Sequence, residues 1–156
     1  MIIRDLTISD FDAVNNIFMQ MQYLHVEHRP DLYRKIDKPT TTKAWDYETS
    51  LENKDMIMVG AEADGRIVGF CIAEIRRSES KALTPRISAH IKNLAVDENY
   101  RRKGIGKALY HEAVKRGKAC GAEAVDLKVF SFNNNAIAFY KSLGMTVQSY
   151  TMERRV

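Results

Sequence analysis

Residues 101–106 read Arg101-Arg102-Lys103-Gly104-Ile105-Gly106, between an apolar strand-type run at 91–96 and a helix-type run that begins at Lys107. This order places a glycine-containing turn between a strand and a helix. The first N–H groups of a helix lack intrahelical partners and carry the positive end of its dipole. Glycines let an anion approach the main chain, and the flanking cations add positive charge. The segment therefore predicts a phosphate-binding turn.

Two familiar phosphate-binding loops do not fit this spacing. A P-loop has four residues between its first glycine and the Gly-Lys-Ser/Thr, whereas only Ile105 separates Gly104 from Gly106, and Ala108 stands where a hydroxyl is needed. A dinucleotide-binding fingerprint needs a small residue where this chain has Leu109. An ordinary strand-to-helix turn with solvated cations would also give these residues, so the turn alone does not identify the ligand.

A second motif lies downstream, in residues 133–145. Asn134 or Asn135 suits the N-cap of a helix, and Gly144 suits its end. The apolar stripe of this helix, at positions i, i+3, i+4 and i+7, consists of Ala136, Phe139, Tyr140 and Leu143. A capped amphipathic helix would explain most of these residues. It would not explain a polar-tipped tyrosine one turn before the stop, at this distance after the glycine turn.

Together the two motifs resemble the GNAT superfamily of N-acetyltransferases. The turn fits the R-x-x-G-x-G signature of that family, and residues 133–145 fit N-x-x-A-x-x-x-Y-x-x-x-G followed by a bulky apolar residue. The resemblance implies an α/β (α+β) fold in a single domain over residues 1–156. The implied sheet is mixed and mostly antiparallel, with six to seven strands and helices on both faces.

The resemblance also implies an activity. An enzyme of this kind moves an acetyl group from acetyl-CoA to a primary amine by direct transfer in a ternary complex, without a metal. The alternative is a non-catalytic acyl-CoA-binding or regulatory module on the same fold. Tyr140 argues against that alternative, because a protein that only binds the ligand has no use for a group that protonates a thiolate.

The family's cosubstrate contacts can be carried over residue by residue. The main chains of Leu94 and Val96 would hydrogen-bond the pantetheine arm, and the N–H of Leu94 would face the thioester carbonyl. The pyrophosphate would lie on the amides of residues 102–107, with Asn133 and the following helix on the other side of the arm. The full implied set is Leu94, Ala95, Val96, Arg101, Arg102, Lys103, Gly104, Ile105, Gly106, Lys107, Asn133, Ala136, Phe139 and Tyr140.

The resemblance implies that Tyr140 is the acid that protonates the leaving thiolate. It does not identify the base that deprotonates the amine. Many relatives place a carboxylate on the strand that enters the turn, and residues 91–94 contain none. His90 stands at a position where the family has its base. It lies four residues before Leu94 in the same strand, so we expect both side chains on the same face of the sheet. An imidazole suits the removal of a proton through water at neutral pH. Glu74 on the preceding strand and ordered water are the alternatives.

The rest of the chain predicts the element order β, α, α, β, β, β, α, β, α, β. Asp64-Gly65 predicts a hairpin between strands at 55–63 and 66–76. Strands at 87–96 and 125–129 flank a helix at 105–119, which predicts a βαβ unit with parallel strands. We expect the first helix to end before His25, with an exposed polar loop after it. A change of apolar phase predicts a bent final strand at 147–152.

Composition sets the class of protein. The chain has 156 residues, 45% hydrophobic and 28% charged, typical of one globular domain. No apolar run reaches membrane-spanning length, and Cys71 and Cys120 do not require a disulfide. We therefore expect a reduced, cytoplasmic protein without a signal peptide.

Charge bears on the partners. The net charge of +4 is concentrated near the glycine turn, which favours a small polyphosphate over nucleic acid. The expected partners are an amine of a small molecule or peptide, with neither nucleic acid nor membrane. The state of assembly, a homodimer included, is left open.

Overall fold

The computed structural model describes residues 1–156 of the chain. The strands are β1 (Ile2–Asp5), β2 (Met56–Ala63), β3 (Arg66–Ser78), β4 (Arg86–Val96) and β5 (Ala124–Leu127). The helices are α1 (Phe11–His28), α2 (Tyr47–Glu52), α3 (Ile105–Ala119) and α4 (Asn134–Ser142). None of these helices combines the length and hydrophobicity that crossing a lipid bilayer requires.

The strands form one sheet in the order β1-β2-β3-β4-β5. The pairings from β1 to β4 are antiparallel, and β4 pairs with β5 in parallel. The mixed, mostly antiparallel sheet predicted from the sequence is therefore confirmed, as is the βαβ unit formed by β4, α3 and β5. The predicted number of strands is wrong, because the sheet has five strands rather than six to seven.

The missing strand is the final one, predicted at 147–152. Residues 145–156 contain no strand, and the side chains of Val147, Tyr150 and Met152 are 56%, 84% and 92% exposed. An ion pair between Arg29 and Glu153, at 2.5 Å, ties this tail to the end of α1. The apolar pattern of the tail is real, but no neighbouring strand pairs with it.

The hairpin between β2 and β3 forms where the sequence predicts it. Asp64 and Gly65 both adopt positive φ, at 53° and 74°, as a type I′ turn requires. The turn joins Ala63 directly to its cross-strand partner Arg66. Both faces of these two strands are buried, because helices cover the sheet on both sides.

Each face of the sheet has its own hydrophobic core. On one face, α3 packs against the sheet in a cluster that contains Cys71, Ala89, Ile91, Ile105 and Leu109. On the other face, α1 and α2 pack in a cluster that contains Val14, Ile17, Tyr47, Phe70 and Ile72. We call these the α3 face and the α1 face. Membership of one cluster or the other shows to which side of the sheet each strand residue points.

Leu109 tests the contribution of the α3 face to stability. Its side chain is fully buried between α3 and the sheet. Because truncation leaves a cavity, we expect Leu109→Ala to lower the free energy of unfolding by about 2–5 kcal/mol in urea titrations. The control is Leu32→Ala, since Leu32 is 54% exposed. An equal loss in both variants would contradict this account of the core.

Candidate active site

The glycine turn has the backbone that an anion site needs. Arg102 and Gly104 both adopt positive φ, at 62° and 79°, and Gly104 is the N-cap of α3. The first intrahelical bond of α3 runs from the N–H of Ala108 to the carbonyl of Gly104, at 3.0 Å. The N–H groups of residues 105–107 therefore have no intrahelical partner. No acidic side chain occupies this first turn.

Two of the four cations at the turn are engaged within the chain. Arg101 donates from Nε to the carbonyl of Val96 at 3.1 Å, and Lys103 donates to the carbonyl of Asn99 at 3.2 Å. Arg102 and Lys107 are exposed and form no hydrogen bond or ion pair through their side chains. Arg101 and Lys103 thus brace the turn, while Arg102 and Lys107 remain available for an anion.

The strand before the turn has one open edge. The parallel register of β4 with β5 begins at Ser88↔Ala124 and ends at Ile91↔Leu127. Beyond Ile91, residues of β4 continue to pair with β3, up to Gly69↔Val96, but no strand pairs with them on the β5 side. Apart from the Val96 carbonyl, which accepts from Arg101, the main-chain groups of β4 that face this gap are free to bind an extended ligand.

Three elements meet beside this open edge, at Gly106. A Cβ atom built at Gly106 would lie 3.5 Å from Cζ of Phe139 on α4 and 3.7 Å from Cδ2 of Leu94 on β4. Those are ordinary van der Waals distances, so a larger side chain would enter the space between the elements. The first turn of α3, the open edge of β4 and one side of α4 therefore border the same space.

The second motif forms α4, with a different cap from the expected one. The side chain of Asn133, rather than that of Asn134 or Asn135, caps the helix by accepting a hydrogen bond from the N–H of Ala136 at 3.1 Å. The predicted end is confirmed, since Gly144 has a φ of 85° and the N–H of Met145 donates to the carbonyl of Tyr140 at 3.1 Å.

Tyr140 lies against the core of the α3 face. Burial raises its pKa well above the usual range of a tyrosine, and proximity to Cys71 and Tyr110 raises it further. Its hydroxyl makes no hydrogen bond within the chain. Because Cys71 is the cross-strand partner of Leu94, Tyr140 lies close to the part of β4 that has the open edge.

A β-bulge determines where His90 points. Ile72 pairs with Asn93, whereas the next residue, Ala73, pairs with Ile91, so Lys92 is left without a partner. The extra residue reverses the alternation of side chains along β4. Leu94 packs on the α3 face, but His90 lies on the α1 face. The expectation that His90 and Leu94 share a side of the strand, based on their even spacing, is therefore wrong.

His90 is the centre of a polar row across three strands. Glu74 of β3 pairs with His90, and His90 pairs with Asp126 of β5. Nδ1 of His90 lies 2.6 Å from Oδ1 of Asp126. Burial raises the pKa of Asp126, but its polar neighbours, His90 first among them, bring that pKa below the ordinary value. Glu74 accepts a hydrogen bond from Arg76 at 3.0 Å.

The segment expected as an exposed polar loop is instead the last turn of α1. His25 and His28 each hydrogen-bond through Nδ1 with the carbonyl four residues earlier. The ring of His28 stacks on Phe132 at 4.6 Å, and that of His25 lies 5.7 Å from Phe130. These aromatic contacts with the segment after β5 explain why the helix continues past its predicted end.

The structure thus divides the residues singled out from the sequence into two groups. Those implied for the cosubstrate lie along the open edge of β4, on the α3 face and at the turn, except that the side chain of Ala95 packs on the α1 face. His90 and Glu74 lie together on the α1 face. The sequence indicated no role for Asp126, a polar residue in the strand predicted at 125–129. Its place beside His90 depends on the register of two strands that are distant in sequence.

Comparison with known proteins agrees with this geometry. A family model described as the acetyltransferase (GNAT) family matches residues 15–145. An N-alpha-acetyltransferase of Sulfurisphaera tokodaii is 41% identical over 88 residues, which cover 54% of this chain and 53% of that protein. An uncharacterized N-acetyltransferase of Methanocaldococcus jannaschii is 28% identical over 146 residues, or 91% of this chain and 59% of that protein.

A solved structure is similar over the whole chain. The crystal structure of a mutant of the BH1408 protein from Bacillus halodurans superposes with a TM-score of 0.95 at 28% identity, and covers 100% of this chain and 99% of that one. The alignments with the two sequence relatives span 53% and 59% of the lengths of those proteins, so the chain matches little more than half of each.

Asn133 tests the local origin of α4. Because Asn133→Ala removes the cap of the N–H of Ala136, we expect it to lower the free energy of unfolding by about 1 kcal/mol in urea titrations. Asn135→Ala is the matched control, since the Asn135 side chain caps nothing, and Asn133→Ser should retain most of the stability. A larger loss from Asn135→Ala than from Asn133→Ala would contradict this assignment of the cap.

Proposed function

The chain belongs to the acetyltransferase (GNAT) family, and we propose that it is an N-acetyltransferase that moves the acetyl group of acetyl-CoA to the primary amine of a small molecule or peptide. One observation carries the proposal. The first turn of α3, β4 and the α4 helix, which carries Tyr140, meet at Gly106. These are the parts that a pantetheine arm ending in a pyrophosphate needs.

The donor would bind along this space. The main chain of β4 at Leu94 and Val96 has no strand partner on the β5 side and suits the amides of the pantetheine arm, with the Val96 carbonyl already accepting one hydrogen bond from Arg101. The unpaired N–H groups of residues 105–107 suit the pyrophosphate, and Arg102 and Lys107 supply mobile positive charge beside it. Gly106 leaves room because it carries no side chain toward Phe139.

The two proton transfers are assigned to opposite faces of the sheet. The amine nitrogen attacks the thioester carbonyl, the C–N bond forms and the C–S bond breaks. His90, on the α1 face, would take the proton that the amine loses. Tyr140, on the α3 face, would give its proton to the leaving thiolate. Glu74 is the alternative base, although its carboxylate is engaged by Arg76 at 3.0 Å.

Gly106→Asp tests the donor site. A carboxylate at this position would enter the space beside Phe139 and repel the pyrophosphate, so calorimetry should show CoA affinity lower by on the order of tenfold or more, about 1.4 kcal/mol or above. The fold should tolerate the change, because an acidic residue suits a helix N-terminus. Gly106→Ala is the control and should bind CoA with little loss. Equal CoA affinity in all three proteins would refute the assigned site.

Tyr140→Phe tests the activity. Assays of CoA thiol release with acetyl-CoA and a panel of amines should detect transfer by the wild type. Removing one hydroxyl should leave CoA affinity intact and lower kcat by on the order of a hundredfold to ten-thousandfold, as expected for a general acid. KM should change little, because the contact forms mainly in the transition state.

Tyr110→Phe is the matched control for this experiment. Tyr110 is a buried phenol of the core against which the partly buried Tyr140 packs, and burial raises its pKa as well. We expect its loss to leave kcat unchanged. A Tyr140→Phe enzyme with full kcat, under conditions where chemistry limits the rate, would show that Tyr140 is not the acid. Binding of CoA without transfer to any amine would favour the non-catalytic module instead.

A further inference from the structure

We propose that Asp126 is a positioning residue, which holds the His90 ring through Nδ1 so that Nε2 can accept the proton of the acceptor amine. This inference rests on the proposed N-acetyltransferase function and concerns the same site. Its basis is the 2.6 Å contact between Nδ1 of His90 and Oδ1 of Asp126.

The protonation state of the pair follows from the chemistry of its two groups. The environment keeps the pKa of Asp126 below its ordinary value, so its carboxylate is ionised at neutral pH and can only accept a hydrogen bond. Nδ1 of His90 must then carry the proton of the 2.6 Å contact. In a neutral imidazole the other nitrogen is the acceptor. Nε2 therefore holds the lone pair that a general base needs.

The register of the sheet makes this arrangement rigid. His90 and Asp126 are direct partners in the parallel ladder, one residue before the ladder ends at Ile91↔Leu127. The pair thus lies one position before the last pairing of β4 with β5. The His90 side chain is only 17% exposed, so one ring orientation is favoured and the ring cannot turn freely into solvent. A base held in this way lies beside the gap where the thioester is expected.

Two charged groups of β3 lie beside His90 on this face. Glu74 pairs with His90, and Arg76 lies two residues further along β3 on the same face. Arg76 donates to Glu74 at 3.0 Å, so these two charges offset each other. Asp126 is then the carboxylate that contacts the His90 ring directly. We expect its removal to change turnover and the tautomer of the ring, whereas substitution of Glu74 should not change the tautomer.

The experiment compares Asp126→Ala and Asp126→Asn with the wild type, in the full chain. Turnover with an accepted amine should fall on the order of tenfold to hundredfold, which is less than the loss expected from removing the base itself. The loss should be largest at neutral pH and should shrink at high pH, where the acceptor amine is already neutral. A purely structural loss would not depend on pH in this way.

A second readout needs neither acetyl-CoA nor an acceptor. Long-range ¹H–¹⁵N NMR spectra of the neutral ring, assigned by comparison with His90→Gln, should show the proton on Nδ1 in the wild type. In Asp126→Ala the spectra should show a shift of that proton toward Nε2, because the hydrogen bond to the other nitrogen sets the tautomer. Asp55→Asn is the control, since Asp55 forms an exposed ion pair with Arg77 at 2.7 Å.

The outcomes separate the two proposals. Unchanged turnover, pH profile and tautomer in both Asp126 variants would overturn the role of Asp126, while transfer by the wild type would leave the proposed function standing. If the wild type transfers acetyl to no amine, the proposed function fails, and the catalytic role of Asp126 fails with it. The tautomer shift would then show only a paired ring without a catalytic use.

Discussion

The candidate site depends on the point at which β4 loses its parallel partner. A strand inside a sheet has its main-chain groups satisfied on both sides, and only an interrupted ladder leaves them free for a ligand. The β4–β5 ladder ends at Ile91↔Leu127, while the β3–β4 ladder continues to Val96. The continuing ladder with β3 holds the free edge in place. The turn at 101–106 then starts α3 at the far end of that edge, so its N–H groups lie in line with it.

The bulge at Lys92 adds a second constraint, because it decides which groups meet across the sheet. Without the extra residue, His90 and Leu94 would lie on one face, and the proposed base would point into the hydrophobic core under α3. With it, His90 joins Glu74 and Asp126 on the α1 face. The polar row on the α1 face and the apolar core around Tyr140 on the α3 face therefore lie on opposite sides of the same sheet.

Features that depend on neighbouring residues could be predicted from the sequence, and features that depend on distant strands could not. The turn and α4 depend on neighbouring residues, and both were predicted, with an error of one or two residues in the cap at Asn133. The bulge and the contact of His90 with Asp126 depend on pairings between distant strands, which no periodicity within β4 reveals. The last turn of α1 forms through aromatic contacts with Phe130 and Phe132, beyond the reach of a local pattern. The predicted strand at 147–152 fails because an alternating pattern does not supply a partner.

The burial of Tyr140 raises an apparent difficulty for its role as an acid, since a raised pKa makes the phenol a weaker proton donor. The relevant quantity, however, is the difference between the pKa of the phenol and that of the thiol formed. Burial disfavours the charged form of both groups. Burial likewise raises the pKa of a thiol, as it does at Cys71, which lies near Tyr140. A thiolate that leaves in apolar surroundings would be destabilised as the phenolate is, so the difference between the two pKa values changes less than either value alone. The proton transfer moves the negative charge from the sulfur of the leaving group to the phenolate oxygen of Tyr140, so the apolar surroundings act on the anion on both sides of the step.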